Sequence, residues 1–188
     1  MEKKIYEINK YEFYKEIKTE DDTCQLIEVN AYAFACSIYK PNIIKIFKRE
    51  EDNYSLIKNF ENCYSHGNNS NSMAKINDNL FCSGGNFYIY IFSVEPAEIK
   101  NIIKVGFNGE IKFTYVINNY LFIAQYSNII QYMIDFDEDS NFRKLNQIKV
   151  IKNFRNQKSY ALAITGKWKI FYESNKVGNK RKFILTNF

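Results

Sequence analysis

The sequence predicts an all-β fold of β-propeller-like repeats: four-stranded antiparallel blades, about four in number or part of a larger ring. Three observations carry this. Helix signals are poor, because Ala and Leu are sparse, β-branched and aromatic residues are abundant, and few i, i+3, i+4 stripes persist. Short apolar runs with polar punctuation recur along the chain. The stretch from Ser72 to Asp135 contains two parallel passages, each reading strand, two-residue turn, strand, short turn, strand. One runs Met73–Ile76, Asn77-Asp78, Leu80–Gly85, Phe87–Phe92. The other runs Thr114–Ile117, Asn118-Asn119, Tyr120–Ser127, Ile129–Asp135.

In chain order, residues 5–17 read as one or two strands around Asn9-Lys10, and Glu20-Asp21-Asp22 as an acidic turn. Strands follow over Cys24–Val29, Tyr32–Tyr39 and Ile43–Lys48, with Asn30 and Pro41-Asn42 supplying the turns. Arg49–Asn53 is a charged loop, Tyr54–Phe60 a strand, and Glu61–Asn71 a low-complexity loop. After the first passage, Glu98–Val105 is a connecting strand, and Asn108-Gly109 is a hairpin turn signal. The second passage ends in the loop Asp137–Asn141, and Leu145–Ile151 is its connector. Three further strands are expected at Tyr160–Thr165, Trp168–Glu173 and Lys182–Thr186, the last two separated by the Asn175–Asn179 loop.

With 188 residues and 17% aromatics, the chain can bury one sizeable core, and residues 1–188 are read as a single domain or partial ring. The net charge of +5 is mild, and the densest basic cluster is Lys176, Lys180, Arg181 and Lys182. The four cysteines are spaced 12, 27 and 19 apart, which fits no CxxC-type metal site. Cys36 and Cys82 fall in apolar runs, where a reduced thiol packs as a small hydrophobe. The N-terminus lacks the apolar core of a secretory signal, and no apolar run approaches the roughly 20 residues of a membrane helix. The expected location is therefore cytoplasmic, with the nucleus as alternative.

Ile46, Ile91 and Met133 fall at corresponding places in the third strand of successive units, 45 and 42 residues apart. A period of about 40 to 45 residues with four short strands is a propeller signature. A single blade cannot bury both faces, so stacking blades requires aromatic and branched residues throughout.

Leu80-Phe-Cys-Ser-Gly-Gly followed by Tyr88-Ile-Tyr-Ile-Phe resembles the second and third strands of a WD40 repeat. Lys45-Ile-Phe-Lys, Tyr90-Ile-Phe-Ser and Tyr132-Met-Ile-Asp take the place of that repeat's Lys-Ile-Trp-Asp. The resemblance is divergent and spans Cys24–Phe188. The one Trp is Trp168 and is not followed by Asp, and the one His, His66, precedes rather than follows a Gly. An N-terminal strand, three full units and a final three-stranded unit would give four blades, the first strand completing the last blade. Otherwise a second copy or another subunit completes the ring. An irregular β-sandwich or barrel is the alternative fold.

Candidate chemistry is sparse. Cys63 and His66 sit three apart in a loop, with no second pair of ligands nearby. Asp135–Asn141 alternates acids but lacks the central Gly of a Ca²⁺ loop, so it reads as a solvated turn. Gly84-Gly85 reads as a tight turn. No catalytic residue, cofactor or metal is assigned. The resemblance implies a non-enzymatic protein–protein interaction scaffold within a multiprotein complex, its partners being other proteins. The expected contact regions are Glu61–Asn71, Asp135–Ser140 and Asn175–Lys182, with Tyr64, His66, Asp137, Asp139, Lys180 and Arg181 as candidate partner-binding residues. The alternative is an RNA- or ribonucleoprotein-associated module using the basic C-terminal hairpin, recognisable by steep salt dependence. A hydrolytic or metal enzyme ranks third. No membrane partner is expected.

Overall fold

The computed structural model describes residues 23–38, 42–51, 53–63, 72–85, 87–105, 111, 113–125, 128–139, 141–152, 158–165, 168–174 and 181–187, with side chains described between 25 and 150. The sequence readings at 5–17, Asn108-Gly109, 64–71 and 175–180 lie outside these residues.

Fifteen strands are described, and they form four antiparallel meanders in chain order. Sheet 1 holds β1 (Thr23–Asn30), β2 (Ala33–Ile38), β3 (Ile43–Glu50) and β4 (Asn53–Glu61). Sheet 2 holds β5 (Met73–Lys75), β6 (Leu80–Gly84), β7 (Tyr88–Ser93) and β8 (Glu98–Lys104). Sheet 3 holds β9 (Phe113–Ile117), β10 (Tyr120–Ala124), β11 (Asn128–Phe136) and β12 (Phe142–Lys152). Sheet 4 has three strands, β13 (Lys158–Thr165), β14 (Trp168–Ser174) and β15 (Arg181–Asn187). The all-β repeat of four-stranded blades read from the sequence is thus the observed architecture.

Burial tracks each strand's place in its sheet. All of β6 is buried, which explains its unbroken run of apolar and small residues. The outer strand β8 alternates exposed and half-buried residues along Glu98–Lys104, the period-2 pattern of a strand with one face to solvent. The turns follow the sequence closely. Asn118 takes φ 51° in the Asn118-Asn119 turn, a left-handed conformation that Asn tolerates.

The cores lie between sheets rather than within one. Sheets 1 and 2 share Val29, Ala35, Ile44, Ile46 and Phe60 from one side, and Met73, Phe81, Phe92 and Val94 from the other. Sheets 2 and 3 share Cys82, Ile89 and Ile91 with Leu121, Ile123, Ile130 and Tyr132. The far face of sheet 3 collects Phe122, Ala124 and Ile129. The first strands touch in succession, β1 with β5, β5 with β9 and β9 with β13, and no contact of comparable extent joins β13 back to β1. The described sheets form an open arc of blades.

The third and fourth strands of sheets 1 to 3 carry a register shift at one matching place: Ile46/Phe47, Ile91/Phe92 and Gln131/Tyr132. The structural counterpart of Ile46 and Ile91 is therefore Gln131, and Met133 lies two residues further on. The aromatic position of the repeat is then filled by Phe47, Phe92 and Tyr132. Moving by two residues preserves the side-chain face, so alternation alone does not reveal the offset.

The two glycines of the Gly84-Gly85 turn have different jobs. Gly85 N–H donates to Tyr88 O at 2.7 Å and makes the turn. Gly84 is the last residue of β6, and a Cβ there would lie 2.6 Å from Ile111 Cγ2 and 3.3 Å from Ser72 Cβ. Ile111 is β-branched and fully packed, so it yields poorly. Gly84→Ala is expected to cost about 1–3 kcal/mol, read as a lower urea midpoint at unchanged m-value.

Candidate partner-binding face

The short turns joining first to second and third to fourth strands lie at the same end of the strands. Asn and acidic residues build them. Asn77 Oδ1 accepts from Asn79 N–H at 2.9 Å and from Leu80 N–H at 2.8 Å, closing the β5–β6 turn. Asn79 reaches across to the β7–β8 turn. Its Oδ1 accepts from Glu95 N–H at 2.8 Å and Val94 N–H at 3.2 Å, and its Nδ2 donates to Glu95 O at 2.8 Å. Sheet 1 is tied in as well. Asn30 Nδ2 donates to Asp78 O at 2.7 Å, and Lys48 pairs with Glu95. Deeper down, Gln25 donates to Met73 O at 3.0 Å and accepts from Met73 N–H at 2.9 Å, so one amide extends sheet 1 onto β5.

Between the turns of sheets 2 and 3 lies a groove of about 440 Å³, with Asp78, Glu95 and Pro96 on one side and Asp139, Asn141 and Phe142 on the other. Lys75 pairs with Asp78 at 2.7 Å, and Lys100 also lines the groove. Asp137 belongs to the same β11–β12 turn as Asp139 and Asn141. Its Oδ1 accepts from Asn141 N–H at 2.8 Å and Asp139 N–H at 3.1 Å, and its Oδ2 accepts from Asn141 Nδ2 at 3.3 Å. These bonds, the Asn141 backbone bond foremost, hold its carboxyl below the usual carboxylate range. Both oxygens are engaged by the loop's own donors. Among the described residues no three His, Cys, Asp or Glu converge as metal ligands.

Asp137 and Asp139 therefore sit together on the turn end. Tyr64, His66 and Lys180 lie outside the described residues. Arg181 begins β15 opposite Ser174 in register. The strand ends flanking 64–71 and 175–180 lie at the opposite end of the strands, so the three expected contact regions divide between the two strand ends. Sequence reasoning missed Asn30, Asp78, Asn79 and Glu95. Asn77-Asp78-Asn79 was a readable signal, since consecutive Asx residues close turns onto their own backbone.

Cys63 departs from the loop reading. It is only 4% exposed, belongs to the core between sheets 1 and 2, and its Sγ donates to Glu61 O at 3.2 Å. Burial pushes its thiol up to about 11, so it is not a thiolate at neutral pH. Cys36 and Cys82 pack as small hydrophobes, as expected, and all three are free thiols.

No family model matches the chain, and no curated protein matches it by sequence. Solved structures do match by shape. A chain of the mitotic checkpoint complex shares 10% identity at TM-score 0.55, over 92% of this chain and 55% of that one. Hsv2 of Kluyveromyces marxianus gives 12% identity and TM-score 0.49, over 89% of this chain and 49% of that one. Hsv2p of Kluyveromyces lactis gives 10% and 0.48, over 89% and 46%. The chain spans about half the length of these structures. With three four-stranded meanders, a matching register shift in each and a WD40 propeller as structural neighbour, the fold is that of WD40-like β-propeller blades.

Proposed function

We propose that the chain is a non-enzymatic scaffold that holds partner proteins in a multiprotein assembly, and that the acidic turn end is a contact face. The observation that carries this is the cross-tying of that face. Asn30 and the Lys48–Glu95 pair fix the turns of sheets 1 and 2 to one another, and Asn79 ties the two turns of sheet 2 together, so Asp78 and Glu95 are presented from a rigid platform. Rigid presentation lowers the ordering cost of binding. The structural neighbour comes from a named multiprotein complex, which accords with such a role. The thiols of Cys36, Cys63 and Cys82 are buried and protonated at neutral pH, which disfavours a cysteine nucleophile. The reading places the protein in the cytoplasm, with the nucleus as alternative.

The test is affinity capture under matched conditions with wild type and an Asp78→Lys/Glu95→Lys/Asp139→Lys variant, whose sites are solvent-exposed. A set of proteins retained by wild type and depleted about tenfold or more by the variant, at unchanged circular dichroism, is expected. An unchanged set would remove the turn end as the contact face. Retention of RNA that falls steeply with salt would favour the basic C-terminal hairpin instead.

A further inference from the structure

The outer strands of sheets 1 to 3 differ in charge. β4 holds one basic and one acidic residue, and β8 holds two lysines and one glutamate. β12 holds Arg143, Lys144, Lys149 and Lys152 and no acid. It is also the longest of the three, 11 residues against 9 and 7. Lys48, Lys75 and Lys100 are each matched by a carboxylate, from Glu95, Asp78 and Glu98. Lys144 and Lys149 are in no ion pair among the described residues, although Lys144 stands opposite Asp135 in register.

One edge of β12 pairs with β11, and no described strand pairs with the other. A free edge presents a row of backbone N–H and C=O groups that a further strand can take up. The side chains select which strand that is. Phe142, Leu145 and Val150 pack against the core shared with sheet 2. Lys144, Asn146 and Lys149 lie opposite Asp135, Met133 and Gln131 on the other face, and both lysines are exposed. Ile148 is the extra residue of the register shift and is 51% exposed. The shift bends the edge, which suits a short segment rather than a long flat strand. Two β12 edges side by side would set like charges opposite one another, which disfavours a second copy of this chain. An acidic strand gains at the same positions.

We infer that the outer edge of β12 is a docking site for a short, extended, acidic segment of a partner protein, which adds to sheet 3 as a fifth strand. Backbone hydrogen bonds along the free edge hold it, its carboxylates meet Lys144 and Lys149, and an apolar side chain covers Ile148. Charge complementarity selects the partner and speeds its arrival. The inference does not rest on the acidic turn end being a contact face.

The experiment is fluorescence anisotropy with the full chain and a short labelled peptide in which glutamate and valine alternate. A second peptide of the same sequence, N-methylated along its backbone, keeps the charge and the side chains but has no backbone donors. The first peptide is expected to bind. The N-methylated peptide, and separately Lys144→Glu/Lys149→Glu and Ile148→Glu at unchanged circular dichroism, are each expected to weaken binding about tenfold or more. No binding up to about 1 mM peptide would overturn the inference. Equal binding of the two peptides would overturn it too, because charge alone would then hold them. Binding indifferent to the substitutions would place the peptide elsewhere and overturn it. Tighter binding of a labelled oligouridylate, lost with Lys144→Glu/Lys149→Glu, would overturn it by assigning the basic row to nucleic acid.

Discussion

Replacing Phe92 by alanine is expected to cost about 3–5 kcal/mol of folding stability. The ring is fully buried, stacks on Phe81 at 4.9 Å, and meets Phe60 of sheet 1 at 5.1 Å. Truncation leaves a cavity walled by two sheets, neither of which can collapse alone without losing its own pairing. Domains of this size are stable by about 5–15 kcal/mol, so the loss is a large share of the total. The same change at Phe87, 44% exposed, is expected to cost less than about 1 kcal/mol. Urea denaturation of both variants checks this. A Phe92→Ala cost no greater than that of Phe87→Ala would mean that sheets 1 and 2 do not share a core.

The second large effect is alkaline. Burial pushes Cys36 and Cys63 up to about 11, and Cys82 up to about 12, from 9.0. Below about pH 8 these thiols keep their protons in both folded and unfolded chains, and they add no pH dependence. As pH rises through 9 the unfolded chain ionises first and binds fewer protons than the folded one, so stability falls until the folded values are passed. Tyr90 and Tyr132, also raised by burial, act in the same direction. For Cys82 alone the loss is about 4 kcal/mol by pH 12. Thermal melts should be flat with respect to these groups from pH 6 to 8 and fall steeply between 9 and 12. Cys82→Ala should remove part of that slope. A slope unchanged by Cys82→Ala would mean that this thiol reaches solvent in the native state.

The strands were legible because alternation and turn chemistry are local. Leu80–Gly84 reads as a doubly buried strand and Asn118-Asn119 as a two-residue turn without reference to the rest of the chain. What was not legible depends on contacts between sheets. The offset between Met133 and Gln131 preserves the side-chain face, so only the ladder with β12 reveals it. Cys63 follows a charged strand and precedes a polar segment, and its burial comes from sheet 2, 10 or more residues away in sequence. At the candidate face, Asp137 and Asp139 stood out as acids in a turn. Glu95 and Asp78 are ordinary turn residues in sequence and acquire meaning only once Lys48 and Asn30 arrive from sheet 1. The opening of the arc at β13 and β1 is likewise a property of the assembled sheets.

The order of the blades is the claim on which the rest depends, and lysine cross-linking with mass spectrometry on an equal mixture of ¹⁴N and ¹⁵N chains tests it most directly. Within one chain, links should join neighbouring sheets: Lys48 with Lys75 or Lys100, and Lys104 with Lys144 or Lys149. Links between sheet 1 and sheet 4, such as Lys58 with Lys169, should be absent within a chain. Abundant sheet 1 to sheet 3 or sheet 1 to sheet 4 links within a single chain would contradict the open arc, and would point to a sandwich or a small closed barrel.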